Sequence, residues 1–403
     1  MALLETLDRA GFHGVVVGGA VRDALLGEAG GDWDVATNAT PDEVVALFPK
    51  TIPTGIEHGT VTVLSGHGDE RHAVEITTFR GEGLYHDGRR PSEVRFLREL
   101  REDLARRDLT INAFAWDPVN SVFTDAFGGL EDLRAGLIRA VGDPATRFAE
   151  DGLRTMRAVR FAATMAFALA PGTQAAIAGA LDAFDKVSRE RVRVELVKLL
   201  CAPRPSLGLI PMADSGLWDR ILLPLVEPVR SETIAAVDRL AAHPMLRLAR
   251  LLWPVRHDRA PLEAAVDALK LSREERARLL RLTDITVDEL GEAASLEGHD
   301  AGSCVRRIVA ELQRPYLDDA IALLELDPAA VARIHAALVG AALTTKELAI
   351  RGGDLIQAKI TAPGKQLGEL LAALLDWVLE DPARNQPDLL LAEARARAQG
   401  YSM

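Results

Sequence analysis

The stretch that most constrains this chain runs from Val15 to Asp34. The valines of Val15–Val17 run into Gly18-Gly19, and the segment that follows, carrying Arg22, reads as a short helix. Glycines at a strand-to-helix turn let backbone N–H groups face an anion at the helix N-terminus. Gly31-Asp32-Trp33-Asp34 comes next. On an extended segment Asp32 and Asp34 project from one face, because side chains alternate along a strand. Two carboxylates so close repel unless a cation sits between them. Hard oxygen ligands of this kind suit Mg²⁺, which completes its shell with water and nucleotide phosphates. Alone, an Asp-x-Asp at a strand edge reads as a solvated turn. With a phosphate cradle about one helix away, it points to phosphoryl or nucleotidyl transfer.

A chain of 403 residues suggests about two or three domains. Residues 1–143 predict strands at Gly14–Val17, Trp33–Ala36, Thr60–Leu64, Ala73–Phe79, Thr110–Trp116 and Leu137–Val141. Helices fit Leu3–Arg9, Val21–Leu26 and Pro41–Phe48, the last capped by Thr40 with Pro41 at its first position. From Pro144 onward the strand signal fades, and Ala/Leu/Arg segments at helical spacing take over. An α/β head with a small mixed sheet, followed by all-α segments, is expected, α+β overall and mostly helical. Hydrophobic residues at 48% with aromatics at only 5% fit that balance.

The formal net charge of −12 means that nucleic-acid binding would need a local basic surface. Between Arg80 and Arg107 eight arginines face six acids, with Gly81, Gly83 and Gly88 interspersed. That segment is expected to be a mobile basic loop. Cys201 and Cys304 have neither metal-ligand nor disulfide spacing, and no run approaches the ~20 apolar residues of a membrane span. A reduced, cytoplasmic protein with no membrane association is expected.

A third carboxylate commonly completes a site where two metals flank a transferring phosphoryl group. Glu75 lies in Ala-Val-Glu-Ile-Thr-Thr-Phe, facing away from Val74 and Ile76, and a charge at a central strand position needs a partner or a metal. Asp108 follows Arg106 and Arg107 and reads first as their ion-pair partner. Glu75 is the preferred candidate. Further on, Asp151, Arg154, Arg157 and Arg160 recur at three-residue spacing, so each neighbours the next while the row winds around the helix. Asp151 and Arg154 pair most naturally. Phe148, Leu153, Met156, Val159 and Phe161 predict a helix apolar on several sides, which would hold these charges in a cleft. A carboxylate beside a planar guanidinium presents acceptors and donors to a base edge, and further arginines bind triphosphate.

Five blocks in order carry a resemblance to a known family: VGGAVRDALLG at 17–27, GDWDVATNATPDEV at 31–44, RRDLTINAFA at 106–115, GGLEDLRAGLIRAV at 128–141 and EDGLRTMRAVRF at 150–161. Together they resemble the class II tRNA nucleotidyltransferases and bacterial poly(A) polymerases. The resemblance implies a nucleotidyltransferase head at 1–143, a helical neck at 144–200 with a nucleotide-selecting helix, and a tRNA-binding body and tail at 201–403. The residues themselves put two Mg²⁺ ions on Asp32 and Asp34, prefer Glu75 over Asp108 as the third catalytic carboxylate, and make Gly18, Gly19 and Arg22 a cradle for the nucleotide's phosphates; the resemblance adds a nucleotide contact from Arg107. Asp151 and Arg154 match the protein template for CTP and ATP, and Arg157 and Arg160 match further nucleotide-binding positions. Gly152 stands where the family usually has a bulkier residue and is expected to loosen the helix start.

The implied reaction is template-independent addition of CCA to tRNA from CTP and ATP. Pro53–Val61 resembles the CCA-adding branch. A poly(A) polymerase, or an enzyme adding only CC or only A, is the alternative within the family. A non-catalytic RNA-binding module is disfavoured by the intact Asp32/Asp34 pair, and a small-molecule nucleotidyltransferase would leave half of the chain without the task of gripping tRNA. Ser188–Leu196 resembles the last family block and reads as a structural brace without a catalytic role. GGDLIQAKITAPGKQLGELL at 352–371 resembles the tail of bacterial members, with tRNA contact and bundle packing both open. The His-Asp pairs at 86–87, 257–258 and 299–300 lack further metal ligands nearby. No protein partner is inferable.

Overall fold

The computed structural model describes residues 1–28, 33–56, 59–65, 72–81, 95–96, 98–222, 229–296 and 299–400. They fall into two compact units, Met1–Pro244 with Asp267–Lys270, and Met245–Val266 with Leu271–Met403.

The first unit opens with α1 (Ala2–Arg9), which buries Leu4 and Leu7. There follow β1 (Gly14–Val17), α2 (Gly19–Leu25), β2 (Asp34–Thr37), α3 (Pro41–Leu47), β3 (Thr51–Gly55), β4 (Thr60–Ser65) and β5 (His72–Thr78). The short β6 (Arg80–Gly81) and β7 (Arg95–Phe96) pair with each other. Then come α4 (Leu100–Ala105), a 3₁₀ turn at Thr110–Asn112, β8 (Phe114–Asp117), β9 (Val122–Asp125) and α5 (Gly129–Ala135). β1 is buried along its whole length, as its β-branched valines favour. α3 carries the expected cap: Thr40 and Glu43 form a reciprocal capping box ahead of Pro41.

Seven strands form one mixed sheet in the order β3-β4-β5-β2-β1-β8-β9. β2 and β5 run parallel, with Asp34 in register with Glu75; β1 and β2 run antiparallel, with Val17 opposite Asp34. The expected strand at Thr110–Trp116 begins instead as the 3₁₀ turn, because Thr110 spends its hydroxyl on Asp132 and its N–H on the Arg139 carbonyl rather than on a sheet ladder.

Next stand β10 (Leu137–Ile138), α6 (Pro144–Glu150), α7 (Leu153–Met165), β11 (Ala168–Leu169), α8 (Pro171–Gly179), α9 (Leu181–Phe184) and α10 (Arg189–Leu200). β10 pairs in parallel with β11, a strand the sequence pattern did not suggest. Among the described residues no strand follows Leu169. Phe148, Leu153, Met156, Val159 and Phe161 are all buried, so α7 is covered on several sides as expected.

The second unit is helical. One apolar cluster gathers Leu290, Val309, Leu312 and Ile334, and another gathers Leu355, Leu370, Leu374 and Leu390. The segment 352–371 contributes the helix Gly352–Gln357 and the start of Lys365–Glu380, and Leu355 and Leu370 lie in that second cluster. Buried Arg306 donates to the Leu379 and Glu380 carbonyls at 2.6 and 2.5 Å, satisfying the open end of Lys365–Glu380. Cys201 and Cys304 are free thiols.

Candidate active site

A cleft of about 510 Å³ lies over one face of the sheet. Its floor is set by register. Val17, Asp34 and Glu75 occupy one row across β1, β2 and β5, and Ala36, Thr77 and Thr60 the next. Asp34 and Glu75 are exposed to solvent within it. In-register neighbours on parallel strands lie on the same face about 5 Å apart, so two carboxylates stand side by side. Hard oxygen donors so placed fit a divalent cation such as Mg²⁺. Asp32 lies outside the described residues, as does nearly all of the Gly81–Arg98 basic segment apart from its ends.

The wall facing the sheet comes from α4 and the residues after it. Asp103 is buried and accepts from Arg106 at 2.6 Å and from Arg107 at 3.3 Å. Burial opposes its charge, but the two guanidinium groups hold its carboxyl below the usual range. The i, i+3 and i, i+4 spacing of Asp103 to the two arginines is a legible helix signal that the sequence reading passed over. Arg107 lines the cleft. Burial lowers its hold on the proton, and its Nε is buried without a hydrogen-bond partner among the described residues. A buried arginine donor left unspent beside a cleft is what an anionic ligand would satisfy.

Asp108 was expected to pair with Arg106 and Arg107, but it does not. Its Oδ2 accepts Arg157 Nε at 2.6 Å, and its Oδ1 accepts the Leu109 N–H at 2.9 Å and Asn112 Nδ2 at 3.3 Å. The chain turns at Arg106 and sends Asp108 away from α4 towards α7. Burial pushes its carboxyl up, yet Arg157 and these donors together hold it below the ordinary carboxylate range. Arg157 is correspondingly held more firmly protonated by Asp108.

The glycine turn sits behind this wall. Gly18 adopts φ +77°, which favours glycine, and a Cβ there would lie 3.0 Å from Arg107 Nη1. Its N–H donates to the Phe114 carbonyl at 3.2 Å and is therefore spent. Arg22 folds back over Gly19, donating to Asn112 Oδ1 at 2.6 Å and to Asp23. Neither glycine nor Arg22 lines the cleft. Arg22 is linked to it through Asn112, which joins Asp108 and Arg157 on one side and Arg107 on the other.

α7 supplies the remaining wall. Asp151, Arg154 and Arg157 line the cleft, but Asp151 and Arg154 do not pair with each other, contrary to expectation. Asp151 lies before the helix, with its Oδ1 accepting the Leu153 N–H at 3.0 Å and its Oδ2 accepting Arg191 Nη2 at 2.9 Å. Arg154 donates to Glu150 at 2.5 Å and to the Arg147 and Arg106 carbonyls at 2.9 Å. Arg160, expected at the nucleotide, points into the core: its residue is 9% exposed, its Nε donates to Glu195 at 2.5 Å, and its guanidinium stacks 3.7 Å from the Phe161 ring centre. Each three-residue step falls about a sixth of a turn short of a full turn, and the accumulated lag carries Arg160 off the cleft side of the helix. Gly152 does not loosen the helix start. A Cβ there would lie 2.4 Å from the Ala183 carbonyl, so glycine permits the close approach of α9.

Family models cover most of the chain. That of the Poly A polymerase head domain matches residues 15–139, that of the probable RNA and SrmB-binding site of polymerase A matches 166–229, and that of tRNA nucleotidyltransferase domain 2 (putative) matches 248–394. The chain is 37% identical to a CCA-adding enzyme of Lactiplantibacillus plantarum over 98% of this chain and 94% of that one. It is 38% identical to one of Leuconostoc citreum over the same shares. Among solved structures, the Bacillus stearothermophilus CCA-adding enzyme in complex with CTP superposes with a TM-score of 0.75 at 30% identity, covering 100% of this chain and 97% of that one. A Thermotoga maritima CCA-adding enzyme complexed with tRNA shares the fold, with a TM-score of 0.72 at 22% identity and coverage of 98% and 94%.

Proposed function

The chain belongs to the CCA-adding family of tRNA nucleotidyltransferases, and from that premise we propose that it builds or repairs the 3′-terminal CCA of tRNA from CTP and ATP. The observation that carries this reading is one cleft holding the Asp34/Glu75 carboxylate row on its floor and Asp151, Arg154 and Arg157 on its wall. The tRNA 3′-oxygen forms a bond to the α-phosphorus, the bond to the β-phosphate oxygen breaks, and pyrophosphate leaves.

Enzymes of this family depend on a metal ion. We assign Mg²⁺ to Asp34, Glu75 and Asp32, and two ions there would lower the pKa of the attacking hydroxyl and neutralise the departing pyrophosphate. Arg107, with its unspent Nε, and Arg157 face the triphosphate. Asp151 and Arg154 read the base edge. Gly18, Gly19, Arg22 and Arg160 support those residues from behind. The division into head (1–143), neck (144–200) and body with tail (201–403) is the functional one we propose, with the last part gripping tRNA. In the second unit, a cleft of about 540 Å³ is lined by Arg256, Arg259, Arg276 and Arg281 together with Glu263 and Asp284, with Arg256 paired to Asp288 and Arg259 to Glu263. Cations so grouped support contact with an RNA backbone. No helix among the described residues is long and apolar enough to cross a membrane; a cytoplasmic site of action is part of the proposal.

The test is incubation of the protein with tRNA ending before its CCA and with each labelled nucleotide in turn. Incorporation of C, then of A only after C, and then arrest is the expected result. A long adenylate tail, or no incorporation at all, would overturn the assignment.

A further inference from the structure

Asp151 is held from two sides. Its Oδ1 accepts the Leu153 N–H at 3.0 Å and its Oδ2 accepts Arg191 Nη2 at 2.9 Å. Arg154, three residues along the chain, is committed to Glu150 and to two backbone carbonyls. The guanidinium that meets Asp151 therefore comes from α10, and Arg191 lines the same cleft as Asp151 and Arg154.

Arg191 and Glu195 of α10 lie one turn apart, the first meeting Asp151 ahead of α7 and the second meeting α7 itself. Four residues after Arg191, Glu195 accepts Arg160 Nε at 2.5 Å and lies 3.9 Å from Arg157 Nη1. The buried Glu195–Arg160 pair fixes the depth and rotation at which α10 docks, and so where Arg191 arrives. The outer pair is different in kind. The Arg191 side chain is 40% exposed and that of Asp151 22%, so it lies at the margin of the cleft, where an ion pair adds little to stability. What it adds is direction. With Oδ1 tied to the backbone and one lone pair of Oδ2 tied to Arg191, the carboxylate cannot turn, while a second lone pair on Oδ2 remains for another donor.

We propose that Arg191 is a positioning residue for nucleotide selection: acting through Asp151, it fixes the carboxylate in the orientation that accepts the exocyclic amino group common to CTP and ATP. This rests on the reading of Asp151 as the base-selecting carboxylate. UTP and GTP would set a carbonyl oxygen against a fixed carboxylate and are rejected. A carboxylate free to rotate turns away from that clash, so rejection relaxes as acceptance weakens.

The experiment is steady-state incorporation of each of the four nucleotides into tRNA by the parent, Arg191→Ala, Arg191→Lys, Asp151→Ala and the Asp151→Ala/Arg191→Ala double variant, with thermal midpoints as the fold control. Arg191→Ala should raise KM for CTP and ATP more than it lowers kcat, and should reduce discrimination against UTP and GTP by about tenfold. Arg191→Lys should recover most of that loss. On the Asp151→Ala background, the Arg191 substitution should change discrimination no further, because the two residues act as one unit. Where Arg191→Ala fails to fold, Arg191→Gln carries the same comparison. An equal loss for all four nucleotides, unchanged discrimination, or an additive effect in the double variant overturns the proposal. A parent that adds no C or A to tRNA overturns the proposed function instead, so the two failures are separable.

Discussion

Arg157 Nε donates to Asp108 Oδ2 at 2.6 Å, which ties the acid at the end of Arg106-Arg107-Asp108 to the helix that carries Arg154 and Arg157. That bond supports the proposal of Glu75 rather than Asp108 as the third carboxylate. Asp108 is buried with its acceptors committed to Arg157, Asn112 and the Leu109 N–H, whereas Glu75 stands exposed in the cleft in register with Asp34.

Asp32→Ala, Asp34→Ala and Glu75→Gln should each cut nucleotide incorporation by about 100-fold or more while leaving the fold intact, because each removes a proposed Mg²⁺ ligand and so weakens the cation that would neutralise the transferring phosphate. Titration of Mg²⁺ against rate separates Glu75 from Asp108. Glu75→Gln should raise the Mg²⁺ concentration needed for half-maximal rate, and Asp108→Asn should leave it unchanged.

Asp108→Asn acts on stability instead. Removing one partner of a buried ion pair strands the other, and with the Arg157 side chain still 33% exposed the cost should be roughly 2–3 kcal/mol at neutral pH. The sign with pH follows from the depressed carboxyl. Its stabilising charge is complete above the unfolded value of ~3.9 and is lost as pH falls through the lower folded value. Denaturant titrations below about pH 4 should show the parent losing stability with falling pH and the variant following a flatter curve.

Gly152→Ala should destabilise the protein by about 1–3 kcal/mol, because the new methyl meets the backbone of Ala183 and Phe184, which has no rotamer by which to yield. The backbone angle is not at fault, since φ is −57°. Relief requires α7 or α9 to shift, so KM for CTP should rise alongside the fall in denaturation midpoint.

Much of this site was legible in the sequence because it rests on short-range rules. Alternation placed Glu75 facing away from Val74 and Ile76, and helical spacing with flanking apolar residues placed α7 under cover. What was not legible is where a flexible side chain finds its partner across the fold. Three-residue spacing suggested that Asp151 would meet Arg154, yet the partners are Arg191, 40 residues on, and Glu150. Arg160 shares the periodic row but falls on the core side, where Glu195 satisfies it. The 3₁₀ turn at Thr110–Asn112 interrupts a β-branched run because Asp132 and Arg139, distant in sequence, take up its polar groups.

The central claim is that protein groups, with no nucleic-acid template, choose the incoming base. CTP and ATP each set an amino donor beside a ring-nitrogen acceptor, and UTP and GTP present the opposite order. A carboxylate and a guanidinium match the first pattern, whereas the second sets a carbonyl oxygen against the carboxylate and an N–H against the guanidinium. The most direct measurement is steady-state incorporation of all four nucleotides by Asp151→Ala on tRNA ending before its CCA. The account predicts that this variant accepts UTP and GTP nearly as well as CTP and ATP while Arg157→Ala weakens all four alike. If Asp151→Ala rejects UTP and GTP as strictly as the parent, base choice resides elsewhere and the account is wrong.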